Sequence, residues 1–125
     1  DGFNELDESE QKKILLYMSY MPIFEEIEVN GKKFFLSHTV PSKERMQDFD
    51  KLLWQEFIIG EPEYGKEYFH DKFIVTGHTP TGFIDPEYKG RIWRKNNHIA
   101  VDCGAVFGNP FGCICLDNFE EFYVE

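Results

Sequence analysis

Phe73-Ile74-Val75-Thr76-Gly77-His78-Thr79-Pro80 contains a short strand and its exit into a loop. Phe, Ile, Val and Thr favour a pleated, buried surface, and a short apolar run bounded by Gly and Pro reads as a strand. His78 therefore stands where the strand gives way to a loop, placed to ligate a metal at the edge of a sheet. Phe34-Phe35-Leu36-Ser37-His38-Thr39 repeats the pattern upstream. Two His-Thr pairs, each closing an apolar strand, are the main chemical signal of the chain. By spacing alone each histidine also fits a structural role.

Working outward, Asp7 and Glu10 are spaced as a capping box. They open a helix expected over 8–20, with Ile14, Leu15 and Met18 buried and Pro22 beyond its end. Residues 23–29 alternate in part, and Asn30-Gly31 is a strong two-residue hairpin signal. Lys33 to Ser37 is the return strand, its Phe-Phe-Leu run implying burial on both faces. Ser42 is placed to cap a second helix through Met46, Phe49, Leu52, Leu53 and Trp54. Thr79 to Gly82 reads as a turn, Arg91 to Arg94 as an edge strand, and His98 to Asp102 as a further strand. Cys113 to Leu116 and Glu121 to Val124 read as a closing hairpin around Asp117-Asn118. No repeat or low-complexity segment interrupts this order.

With 125 residues the chain fits one domain. Its 42% apolar content, with 13 phenylalanines, is that of a globular chain and excludes disorder. A net charge of −10 repels a nucleic-acid backbone. No apolar run approaches the ~18 residues of a membrane span, and the acidic start lacks the basic region of a signal peptide. Asp1 stands where an initiator Met would, as in a chain cut from something longer. Cys103, Cys113 and Cys115 read as buried free thiols in a reducing cytoplasm. No further ligands lie at the short spacing a zinc site needs.

Among the other chemical groups, Asp102 closes a strand and reads as a turn residue bonding its own backbone. His98, beside Asn96-Asn97, reads as a surface or edge residue, and His70 as a solvated loop residue. Trp54 and Trp93 read as packing groups. No Gly-x-Ser-x-Gly elbow and no Gly-rich phosphate loop is present.

The motifs taken in order carry a resemblance. Val75-Thr76-Gly77-His78-Thr79-Pro80-Thr81 resembles the Gly-His-Thr-Pro element of calcineurin-like metallophosphoesterases. His98-Ile99-Ala100-Val101-Asp102-Cys103-Gly104-Ala105-Val106-Phe107-Gly108 resembles the strand and turn that follow it in bacterial members. The segment from Gly112 to Val124 is similar to their closing strands, and Phe35-Leu36-Ser37-His38-Thr39 to the strand with the earlier metal-binding histidine. Leu52-Leu53-Trp54 resembles the Leu-Trp segment between the two histidines. The nearest group is the bacterial serine/threonine phosphatases of the phosphoprotein phosphatase type, with lambda phosphatase and diadenosine tetraphosphatase as cousins. The likeness runs nearly end to end but covers only the second half of such an enzyme. The first half's Gly-Asp-x-His-Gly, Gly-Asp-x-x-Asp-Arg-Gly and Gly-Asn-His-Glu motifs are not in this sequence.

The resemblance implies an α/β fold: the C-terminal portion of a metallophosphoesterase sandwich, a mixed sheet with antiparallel hairpins and two main helices. It implies a parent enzyme with two divalent ions (Mn, Fe or Zn) and a bridging hydroxide that hydrolyses phosphate esters. The substrate would be phosphoserine or phosphothreonine in a protein, or a dinucleoside polyphosphate. His38 and His78 would ligate the second metal. The general acid and the bridging ligand would lie upstream of Asp1, so no catalytic residue is expected in this chain. Two departures stand out. Thr39-Val40 replaces the usual Ala-Gly, and Glu56 occupies the place of a phosphate-binding Arg, leaving Arg91 or Arg94 as substitutes. The expectations are an inactive isolated chain that self-associates through its exposed half-site, or a non-catalytic module that keeps the scaffold and binds a partner.

Overall fold

The computed structural model describes residues 2–125. Asp1, before which the general acid and bridging ligand are expected, lies outside the described residues, and that expectation is untouched by the fold. The elements, in order, are α1 (Gly2–Glu5), α2 (Glu8–Ser19), β1 (Phe24–Val29), β2 (Lys32–Ser37), α3 (Lys43–Gln47), β3 (Lys72–Thr76), α4 (Thr81–Ile84), β4 (Trp93–Lys95), β5 (His98–Ala100), β6 (Phe111–Ile114) and β7 (Glu121–Val124). The fold is mixed α/β. Five strands form one sheet in the order β1-β2-β3-β5-β4, and β6 with β7 forms a small antiparallel sheet. The centre of the large sheet is parallel, with β3 between β2 and β5. Both edges are antiparallel, β1 on β2 and β4 on β5.

Turn chemistry sets both edges. Asn30 and Gly31 have φ of 50° and 74°, as a primed two-residue hairpin requires. Asn96 and Asn97 do the same between β4 and β5, at 55° and 56°. Asn tolerates the left-handed region because its short amide bonds locally.

Alternation along β2 and β3 divides the core in two. Phe35 and Ile74 face one side, closed by Val40, Met46 and Phe57. Phe34 and Ile99 face the other, with Ile92 and Cys103 and, less deeply, Phe73, Val75 and Phe119. Phe34 and Phe35 are both fully buried, as their position on an interior strand demands.

Several sequence expectations are corrected. The capping box of α2 forms, with Asp7 Oδ1 accepting from the Ser9 and Glu10 amides at 2.8 and 3.0 Å. Yet α2 buries nothing: Ile14, Leu15 and Met18 are 38, 55 and 55% exposed, because no element among the described residues packs over them. The second helix stops at Gln47. Ser42 caps it, and the residues beyond form two 3-10 turns, Phe49–Lys51 and Trp54–Phe57. Residues 81–84 form a short helix rather than part of a turn. The edge strand starts at Trp93, not Arg91, and the closing strand β6 starts at Phe111. β6 ends at Ile114, so the connection to β7 begins at Cys115 rather than at Asp117. Cys115 leaves the strand, and Cys113 is exposed; Cys103 is the buried thiol. No helix among the described residues is long and apolar enough to cross a membrane.

Candidate functional site

The parallel strands β2, β3 and β5 all run the same way. Their C-terminal ends therefore share one edge of the sheet, the usual binding edge of an open α/β sheet. His38 follows β2 directly, and His78 and Asp102 lie two residues beyond β3 and β5. The two histidines converge. His38 Nε2 and His78 Nδ1 are 2.9 Å apart, with ring centroids 4.7 Å apart and planes at 60°. One nitrogen donates and the other accepts in this hydrogen bond, so the pair shares a single proton between its facing atoms.

The backbone fixes this approach. The Gly77 N–H donates to the His38 carbonyl at 3.0 Å and ties the two strand exits together. The Thr79 N–H donates to the Gly77 carbonyl at 2.7 Å, which closes a three-residue turn around His78. Its φ is 65°. A γ-turn of this hand is rare and strained. Thr39, fully buried, anchors the other exit by donating its hydroxyl to the Gly60 carbonyl at 2.9 Å.

The electrostatics favour neutral imidazole at His38. Burial lowers its pKa, the neighbouring His78 lowers it further, and Asp102 partly opposes both. Asp102 itself accepts the Gly104 N–H at 2.9 Å, the turn bond expected from its position.

Neutral imidazole is what a divalent ion takes. A metal–nitrogen distance of about 2.0–2.1 Å puts neighbouring ligand atoms roughly 3 Å apart, close to the His38–His78 spacing. The pair thus fits two adjacent positions on one ion. Among the described residues, no group of three or more His, Cys, Asp or Glu side chains is placed to hold a metal. The pair does not fit a two-ion centre, and Asp102 does not join it as a third ligand.

Beside His38 opens an apolar groove of about 1020 Å³, with Met18, Met21, Phe24, Leu36, Val75 and Trp54 among its walls. Trp54 is 59% exposed there and is not the packing group its type suggested. Trp93 is buried, as expected.

Arg91 and Arg94 line a different hollow, of about 450 Å³, with Tyr88 and Glu121. Arg94 lies 3.5 Å from Glu121 and stacks over the Phe119 ring at 4.7 Å. Glu56 is occupied: Arg45 Nε and an Arg45 Nη each reach one carboxylate oxygen at 2.9 Å, and the Leu53 N–H adds a bond of 2.8 Å. Arg45 holds the Glu56 carboxyl below its usual range, helped by that backbone bond. The sequence singled out Glu56 but not Arg45. The partner lies eleven residues away across a broken helix, so no periodic spacing announces it.

His98 departs most from its sequence reading. It is 1% exposed. β4 pairs outside β5, so His98 begins an interior strand and faces the closed side of the sheet. Its Nε2 meets the Thr76 hydroxyl at 2.8 Å, and its ring stacks on Tyr64 at 4.9 Å and 24°. Burial alone lowers its pKa to about 4. His70 is exposed, as expected, 3.2 Å from Glu67.

No protein-family model matches the chain, and no curated protein matches it significantly.

Proposed function

We propose that His38 and His78 are two ligands of one divalent metal ion, and that the chain is the part of a metal-dependent phosphoesterase that carries them. The observation behind this reading is the 2.9 Å approach of two imidazoles across the ends of adjacent parallel strands, with His78 held in a strained turn. Backbone strain of this kind clusters at ligand-binding and active sites. The order of motifs from Phe35 to Val124 supports the phosphoesterase class, and a phosphorylated Ser or Thr side chain is the proposed substrate. When bound, the ion would polarise phosphoryl oxygen and activate water. His38 and His78 would orient it through neutral nitrogens and take no part in proton transfer. The remaining ligands would come from outside these 125 residues, so the chain alone would bind metal weakly and turn over no phosphate ester. The compartment proposed is the cytoplasm, where the three free thiols would stay reduced.

The experiment is a cobalt(II) titration of the chain, followed by its visible absorption and by calorimetry. The expected result is weak binding to one ion, reduced at least ~10-fold in His38→Ala and in His78→Ala, a loss typical of disturbed metal sites. Equal binding by wild type and both variants overturns the assignment. Metal-dependent hydrolysis of p-nitrophenyl phosphate by the purified chain overturns the claim that it is inactive alone.

A second reading has its own observation. Among the described residues the site lacks a third ligand, while the hollow beside it is apolar. A non-catalytic module that binds a partner through that hollow would look like this. A chain that binds no cobalt at all favours it.

A further inference from the structure

Eight large apolar side chains between Ile14 and Ile23 are 38–79% exposed. Five of them, Ile14 to Met18, are consecutive and so point to every side of α2. A helix that is apolar all round is normally buried. A 12-residue helix with no buried residue is also marginal by its own propensity. One side is accounted for, since Met18 and Met21 wall the groove. The other sides have no cover within the described residues.

The occupant of that face has to match its area, its apolarity and its charges. The eight side chains expose on the order of 800 Å², the share of one partner in a standard stable interface. Among the groove's lining residues Glu25 is the one carboxylate, and there is no Lys or Arg. Glu25 belongs to β1, whose Glu28 is also exposed. The basic residues of α2 are Lys12 and Lys13, immediately before the apolar stretch. A second copy of the chain supplies all of this at once: an apolar helix for the groove, and lysines for the Glu25 rim. Reciprocal contacts of this kind close as a two-fold dimer.

We propose that the chain forms a two-fold dimer in which α2 of each copy covers the apolar groove of the other. The dimer does not depend on the metal-site reading. Each copy carries a net charge of −10, so salt strengthens the association by screening the long-range repulsion.

Light scattering on the wild-type chain at micromolar concentration tests the proposal. The expected mass is twice 14.8 kDa. In the double variant Leu15→Glu, Leu16→Glu the mass falls to that of the monomer, with the far-ultraviolet circular dichroism of the sheet retained. Both leucines are more than half exposed, so the fold does not depend on them. A wild-type monomer, or a double variant that stays dimeric, overturns it. Hydrogen exchange on the wild type alone gives a second measurement. The amides of α2 are expected to lose protection on dilution, and protection independent of concentration overturns the proposal. A monomer whose α2 gains protection only on phosphatidylcholine vesicles overturns it as well and gives the face to a lipid surface.

Discussion

His98 holds a neutral imidazole inside the sheet. Nε2 bonds the Thr76 hydroxyl, while buried Nδ1 has no protein partner. The side chains around it are Tyr64, Tyr68, Trp93 and Thr76, none of which is charged at neutral pH. A proton on His98 would be an unpaired buried charge, which is why burial brings its pKa to about 4. In the unfolded chain the same group titrates near 6.5. Between these values the unfolded chain binds the proton and the folded chain does not, so stability rises with pH across that window. The contribution is complete above pH ~6.5, is lost as pH falls toward 4, and amounts to about 3 kcal/mol. Denaturant unfolding of wild type and His98→Phe at a series of pH values checks this. The wild type is expected to weaken between pH 6.5 and 5 more steeply than the variant. Parallel pH profiles would remove His98 from the account. The Asn96-Asn97 turn before it was the available sign of its burial, because a two-residue hairpin there places β4 outside β5.

The elements that the sequence revealed are those whose ends carry their own chemistry. Asp7 and Glu10 start α2, Asn30-Gly31 sets the β1–β2 register, and Ser42 starts α3. The failures concern what those ends do not encode. Apolar spacing from Met46 to Trp54 suggested a continuous helix, but the Leu52 and Leu53 backbones are extended, and tertiary packing at Phe57 takes precedence over periodicity. For α2 the apolar pattern stated a need for burial that the described residues do not meet. The small β6–β7 sheet rests on a contact no propensity reports. A Cβ added at Gly112 would come within 2.5 Å of Cys103 Sγ and 3.3 Å of Ile92. Cys103 is itself buried in the core, with Phe34, Ile92 and Ile99. Gly112→Ala therefore lifts β6 off the core and is expected to cost about 1–3 kcal/mol, as overpacking does. Thermal unfolding measures the loss. Restoration by the compensating Cys103→Gly in the double variant would locate it at this contact, and a Gly112→Ala variant as stable as wild type would show that β6 floats free.

At the scale of the molecule, the five-stranded sheet has one finished side and one unfinished side. The histidine pair was legible because both residues end apolar strands. So was its incompleteness, because the motifs that would supply the remaining ligands are not in this sequence. The same asymmetry governs stability, and β3 tests it within two adjacent residues. Ile74 points into the closed side and is 1% exposed, packed with Phe35, Val40 and Phe57. Val75 points the other way, where it lines the open groove. Truncating Ile74 leaves a sealed cavity, so Ile74→Ala is expected to cost about 2–5 kcal/mol from lost transfer energy plus the void. Val75→Ala widens a hollow that water already reaches, so its void term vanishes and about 1 kcal/mol of transfer energy remains. The measurement is denaturant unfolding at concentrations low enough to keep the chain monomeric. At higher concentration a copy seated in the groove would seal Val75 as well, and the cost of Val75→Ala would then rise toward that of a sealed position. A Val75→Ala cost equal to that of Ile74→Ala in the monomer would mean that the groove is closed in solution.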